Sequence, residues 1–173
     1  MDCTRSTFTL NSIGNSGRSE RGRLISILPF QPRDIELIGP PSHDIANFEA
    51  YRDHIPEYAS WLKMWGPAFS AWDEDKVLGS AGLIRIAPWR ASVWVYLGQD
   101  VLAKKFLLHR KIVRGLKQLV EEHNIHRLDA EVLATDERAI SWIEKLGFIF
   151  EGDKPGVGPN GETYKGFGRY LCS

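Results

Sequence analysis

The chain has 173 residues, with 22 basic and 22 acidic side chains and a formal net charge of zero. That length fits one domain with a tail and leaves little room for two full domains, and 43 % hydrophobic residues is close to the globular norm. The neutral balance removes the simplest argument for a nucleic-acid binder, whose domains are usually basic overall, and no apolar run approaches the ~20 residues of a membrane span.

Residues 1–22 are polar, with Arg5, Arg18 and Arg21 and no apolar stretch of the secretory type. They read as a flexible polar arm, either simply mobile or ordered by a partner. Residues 23–173 read as a single domain. Cys3 and Cys172 lie at opposite ends, and no Cys or His pair has zinc spacing. The expectation is a cytoplasmic protein with reduced thiols and no metal.

Arg23 to Leu28 alternates like a strand. Asp34 to Ile38, set between prolines, suits one helical turn. From Ser42 to Trp65 apolar residues recur at helical spacing, with Ser42 or Asp44 as cap and Pro56 as a break. Phe69 to Trp72, Val77 to Ile86 and Ala91 to Leu97 read as strands of a meander, separated by polar or Pro-containing turns. Ala103 to His123 is the clearest helix. Leu108, Ile112, Leu116, Leu119 and Val120 form its apolar stripe, and Asn124 ends it. Leu128 to Leu133 is a strand, and Glu137 to Leu146 a short helix capped by Thr135 or Asp136 and stopped by Gly147. Phe148 to Glu151 and Glu162 to Leu171 complete the set, joined by a loop carrying Asn160-Gly161. The strand–long helix–strand unit should form a right-handed parallel crossover within an α+β fold.

Ala139-Ile140-Ser141-Trp142-Ile143-Glu144-Lys145-Leu146-Gly147-Phe148, followed by Glu151-Gly152, resembles the carboxy-terminal motif of the GNAT superfamily, the Gcn5-related N-acetyltransferases. Asn124 to Val132 is similar to that family's stretch between its long helix and fifth strand. The element order agrees over about residues 23–171. The resemblance implies a mixed, mostly antiparallel sheet with a central splayed parallel strand pair, flanked by helices. It also implies acetyl-CoA or CoA as cofactor. The backbone near Val95 and Leu97 would hold the pantetheine arm, and the pyrophosphate would sit at the start of the long helix, where free N–H groups and the dipole favour anions.

The family's phosphate loop falls on Lys104 to His109, where Leu107 and His109 replace glycines. Lys104, Lys105, His109 and Arg110 are candidates to bind phosphate as point charges, with solvated basic residues as the equal alternative. The family's Asn at the start of the next helix falls on Asp136. Its strand Glu has no counterpart in Ser92 to Leu97, and its Tyr falls on Ile143. Acyl transfer to an amine needs a proton acceptor, and Glu131, Asp129, Asp100 or His109 could be recruited. A narrower similarity, through His109 to Arg114 and the closing hairpin, is to GNAT-like proteins of tailed bacteriophages, some of them virion-associated.

Other signals have plain structural readings. Trp61, Trp65, Phe69 and Trp72 suit a core or a partner-facing groove. His54 and Tyr58 suit a pair on one helical face. Two functions follow: an acyl-CoA-dependent N-acyltransferase with a degenerate phosphate loop, or a non-catalytic GNAT-like protein acting by assembly. Protein partners through the arm or the aromatic cluster, and a homo-oligomer, are the contacts to expect.

Overall fold

The computed structural model describes residues 25–41, 44–99, 101 and 105–171, with only the backbone described at Ala46 and Lys105. The strands are β1 (Ile25–Pro29), β2 (Ala68–Asp73), β3 (Lys76–Ala87), β4 (Arg90–Leu97), β5 (Arg127–Leu133), β6 (Ile149–Lys154) and β7 (Tyr164–Tyr170). The helices are α1 (Arg33–Ile38), α2 (Ile45–Tyr51), α3 (Ile55–Trp65), α4 (Lys105–Glu122) and α5 (Glu137–Lys145), with a 3-10 turn at Arg52–His54. The strands form one sheet in the order β1-β2-β3-β4-β5-β7-β6. Every neighbouring pair is antiparallel except β4–β5, the expected crossover around α4.

Period-two alternation buries both faces of β2 to β4. Phe69, Ala81, Val93 and Val95 turn to the α4/α5 side, where Leu108, Ile112 and Leu116 of α4 and Ile143 and Leu146 of α5 cover them. Trp94 and Tyr96 turn to the opposite side and pack with Ile35 of α1 and Ala59 and Leu62 of α3. α4 lies close on the sheet at Gly115, where an added Cβ would stand 2.9 Å from the Phe69 ring.

Local chemistry explains most boundaries. Pro56 stands in the first turn of α3, where its missing N–H costs nothing. Asp136 caps α5 by accepting the Ala139 N–H at 2.9 Å. Asn124 after α4 and Gly147 after α5 adopt left-handed backbones, at φ 51° and 83°.

Three local expectations change. Asp44 stands at the N-cap of α2 but makes no cap hydrogen bond, because its carboxylate is held by Tyr164 instead; Ser42 lies outside the described residues. His54 falls in the 3-10 turn, so it does not share a helical face with Tyr58, whose ring stacks on Tyr51 at 5.0 Å. The aromatic set also divides. Trp61 and Trp65 adjoin on α3 at 5.3 Å, while Phe69 faces α4 across the sheet, since a strand alternates faces where a helix would not.

Beyond β5 the face opposite α5 carries charge. Glu151 and Lys154 of the edge strand β6 reach across β7 to Arg127 and Glu131 of β5, at 2.6 Å in each case. Gly168 and Gly166 of β7 make this crossing possible. An added Cβ would meet the Glu151 carboxylate at 2.2 Å and the Lys154 chain at 2.9 Å. Among the described residues no helix is long and apolar enough to cross a membrane, and no three His, Cys, Asp or Glu side chains gather as a metal site.

Candidate functional site

The site grows from the way β4 and β5 part. Their parallel ladder has three pairs, Arg90↔Arg127, Ala91↔Leu128 and Ser92↔Asp129, and the two strands share no pair beyond them. β4 continues on β3 as far as Leu97↔Gly79, and β5 on β7 as far as Leu133↔Tyr164. The sheet therefore opens as a V between Val93–Leu97 and Ala130–Leu133, with α4 leaving from one arm and α5 from the other. Val95 and Leu97 both lie on that open stretch of β4. Their side chains are half-buried against the cluster of Phe69, Leu108 and Ile112.

The apolar floor beneath the V is nearly filled. Val93, Val95, Leu119, Trp142 and their neighbours enclose a cavity of about 30 Å³, room for about one water molecule. Trp142 of α5 packs against the core clusters of both sheet halves. Its indole N–H donates to Nδ1 of His109 on α4 at 2.8 Å, the rings meeting edge to face. This bond ties the two helices across the base of the cleft, and in the neutral ring it leaves the proton of His109 on Nε2.

At the mouth of the V lie Gly39 to Pro41, after α1, and Asp44, before α2. Gly98, just past β4, gives its N–H to Leu78 of β3. Its bridge to Pro41 therefore lies on the other edge of β4, the edge facing β5. Tyr96 donates its hydroxyl to the Gly39 carbonyl at 3.0 Å, and Phe48 packs on the Tyr96 ring. On the far side, Tyr164 donates to Oδ2 of Asp44 at 2.7 Å, beside the last residue of β5. Gly39 and Pro41 are thus tied to the β4 arm and Asp44 to the β7 strand beside the β5 arm. Burial pushes the phenols of Tyr96, Tyr164 and Tyr58 up, with Asp44 adding to the last two; all three stay neutral donors near pH 7.

The residues named from sequence distribute as follows. Val95, Leu97 and His109 gather at the V. Arg110 is exposed on the second turn of α4. Lys105 is the first residue of α4, and Lys104 and Asp100 lie outside the described residues. Asp136 stands at the exit of β5 as the cap of α5. Leu107 turns inward to the apolar cluster and His109 to Trp142, so neither side chain projects over the helix start as their place in the glycine loop suggested. Ile143, at the family's Tyr position, is buried in the core and brings no proton.

Among the described residues the proposed proton acceptors Asp129, Glu131 and His109 are each engaged, His109 by the Trp142 indole. Asp129 sits where the V begins, gripped by Arg90 and by Arg127 Nε at 2.9 Å. Burial pushes its carboxyl up, and these two guanidinium bonds outweigh that, so it lies below its usual value and is a poor base near neutrality. Glu131 is exposed and paired with Lys154. The sequence did not reveal Trp142 as the tie between helices, nor Asp44 with Tyr164. Trp142 bore no local mark beyond its place on a helix, and Asp44 was indistinguishable from an ordinary cap.

A mixed seven-stranded sheet with one splayed parallel pair, flanked by helices, is the GNAT-like α+β fold. Solved acetyltransferase structures share it. A probable acetyltransferase of Staphylococcus epidermidis superposes with a TM-score of 0.71 at 14 % identity, over 86 % of this chain and 100 % of its own. A ribosomal-protein-S5-alanine acetyltransferase of Vibrio fischeri superposes at 0.62 and 16 % identity, over 89 % and 97 %. A Salmonella typhimurium protein with an acetyltransferase assignment, solved with its cofactor acetyl-CoA, superposes at 0.66 and 15 % identity, over 86 % and 95 %. At these identities the likeness is one of fold. No family model matches the sequence, and no curated protein matches it.

Proposed function

We propose that the chain is a GNAT-type, acyl-CoA-dependent N-acyltransferase with a degenerate phosphate site. The observation that carries this reading is the V itself: two parallel strands that pair for three residues and then part, with a long helix starting at the open end. β4 and β5 each stay laddered on their outer edges, to β3 and β7, while parting from one another, and that leaves room for an extended chain between them. A pantetheine arm, with its two amides, is a partner of suitable shape.

The residues present fit such a group. The open stretch of β4 around Val95 and Leu97 would hold the arm. Lys104, Lys105 and Arg110 would meet the phosphates, aided by inward-turned Leu107, while His109 is turned to Trp142, and Asp136 would stand beside the arm. A bound acyl-CoA supplies the acyl group as a thioester. The chain's own part is to align an amine against it and accept the amine's proton through solvent, because Asp129 and Glu131 are held in ion pairs. Calorimetric titration with acetyl-CoA and CoA tests the reading. Binding at micromolar to millimolar ligand is expected, weakened by Lys104→Ala with Lys105→Ala; no binding at millimolar ligand refutes it.

One observation favours a second reading. Ile143 is buried, so that position brings no acid, and the floor of the V, lined by Trp142, holds a cavity of only about 30 Å³. A non-catalytic protein acting by assembly, in a phage particle or on a host factor, would need neither. The stacked, partly exposed rings of Tyr51, Tyr58, Trp61 and Trp65 would then supply its contact surface. Acyl transfer to any amine by the purified chain excludes it.

A further inference from the structure

The outer face of α3 carries apolar side chains that the described fold leaves uncovered. Trp61 and Trp65 are more than two-fifths exposed, as is Tyr51 of α2, and Met64 is 73 % exposed. The rings run in succession. Tyr51 stacks on Tyr58 at 5.0 Å, Tyr58 on Trp61 at 6.4 Å, and Trp61 adjoins Trp65 at 5.3 Å. Beside them Pro56, Glu57, Ser60, Trp61 and Met64 line an open groove of about 510 Å³. Apolar side chains gathered in one exposed patch, rather than scattered singly, mark an interaction surface.

The shape of this face selects its partner. The groove runs from Pro56 to Met64, and Met64 projects at its far end. Hole and knob therefore share one helix face, about 12 Å apart at 1.5 Å per residue. A second copy laid antiparallel across the first puts each Met64 in the other's groove, the self-complementary contact that a twofold axis requires. Methionine is unbranched and polarisable, which suits it to filling such a gap. Ser60 is small and stands midway, so two helices can approach closely there. Its hydroxyl already donates to the Pro56 carbonyl at 2.7 Å, so covering it strands no donor. Glu57 is the one charged side chain lining the groove, and it lies at its end, in the first turn of α3. The face therefore does not select a strongly charged partner, and the zero net charge of the chain sets up no overall repulsion between copies.

We propose that this face of α3 is the interface of a transient homodimer, with two copies packed antiparallel about a twofold axis near Ser60. The proposal requires neither reading of the cleft and holds for an enzyme and an assembly protein alike. The exposed parts of Tyr51, Trp61, Met64 and Trp65 come to on the order of 450 Å² per copy, taking about 250 Å² for a whole aromatic side chain. The pair thus buries about 900 Å², below the ~1,200 Å² of stable interfaces, which puts the dissociation constant in the micromolar to millimolar range.

Sedimentation velocity of the full chain between about 5 µM and about 500 µM tests this. The average mass should rise from that of one chain towards that of two. Met64→Glu sets a charge in both grooves at once, so the dissociation constant should rise about tenfold or more. Its melting temperature at the lowest concentration should not change, because Met64 is exposed. Adding Glu57→Lys to Met64→Glu sets opposite charges against each other across the twofold and should recover about threefold or more of the lost affinity. The two positions are seven apart on one helix, too far to pair within a copy, so recovery reports contact between copies. A single-chain mass at every concentration, a dimer that Met64→Glu leaves unchanged, or a double variant that binds no more tightly than Met64→Glu alone overturns the proposal.

Discussion

Replacing Trp142 by Phe should weaken the seam between α4 and α5 by a calculable amount. The substitution removes the indole N–H that serves His109 Nδ1 at 2.8 Å. A net hydrogen bond of this kind contributes about 1 kcal/mol, and the half-buried acceptor left behind adds to the loss. Loss of the second ring removes on the order of 40 Å² of apolar contact, about 1 kcal/mol at 25 cal/mol per Å². The sum is about 2 kcal/mol, a fall of roughly 4–8 °C in melting temperature for a chain of this size. His109→Ala should cost about 1–2 kcal/mol, because it strands the indole N–H in the same half-buried place. The double variant strands neither group, so it should cost about 1 kcal/mol less than the two single losses added. Urea unfolding followed by far-ultraviolet circular dichroism on all four proteins gives the coupling directly. Additivity within about 0.3 kcal/mol would refute the view that this bond joins the helices across the cleft floor.

Three further outcomes are expected. Gly66→Ala should destabilise by about 1–3 kcal/mol in urea, because the new Cβ would stand 1.9 Å from the Leu83 carbonyl oxygen and a backbone obstacle cannot swing aside; an unchanged midpoint would show that the α3–β3 junction is looser than described. Asp129 titrates below its ordinary value in the folded chain, so its contribution is present above the unfolded value near about 4 and is lost as pH falls through the lower folded value. Asp129→Asn should therefore flatten the loss of stability in acid-urea titrations below pH about 4, and an identical acid profile would count against the ion-pair account. Tyr96 and Tyr164 are raised, so their contribution is present below the unfolded value near about 10 and fades only as pH rises through the folded values. Ultraviolet titration of the folded chain should leave these two phenols un-ionised at pH about 11, with Tyr96→Phe and Tyr164→Phe removing only late-titrating signal.

Much of this fold was legible because its signals are local. The stripe of α4, the prolines around α1 and α3, Asp136 before α5 and Gly147 after it each act within a few residues, and each stands where periodicity and capping chemistry put it. The crossover from β4 through α4 to β5 followed from the same cues and from the handedness of such units. The site was less legible. Asp44 looked like a cap because capping is what an aspartate before a helix usually does, and Tyr164, 120 positions on, carried no sign of claiming it. Phe69 was grouped with Trp61 and Trp65 because nearness in sequence hides the change from helical to strand period between them.

The amino-acid sequence by itself determined the order of elements, their ends, the resemblance at 139–152 and hence the α+β sheet with a splayed pair. These depend on short-range sterics, caps and burial periodicity. Tertiary structure alone decided what fills and flanks the V: the Trp142–His109 tie beneath it, the Tyr96–Gly39 and Tyr164–Asp44 bonds above it, and the reach of Glu151 and Lys154 over the glycines of β7. Each depends on which side chains the strand register brings opposite one another. A one-residue shift of register moves every side chain to the other face. Residues tens of positions apart therefore become partners only when the whole sheet is assembled.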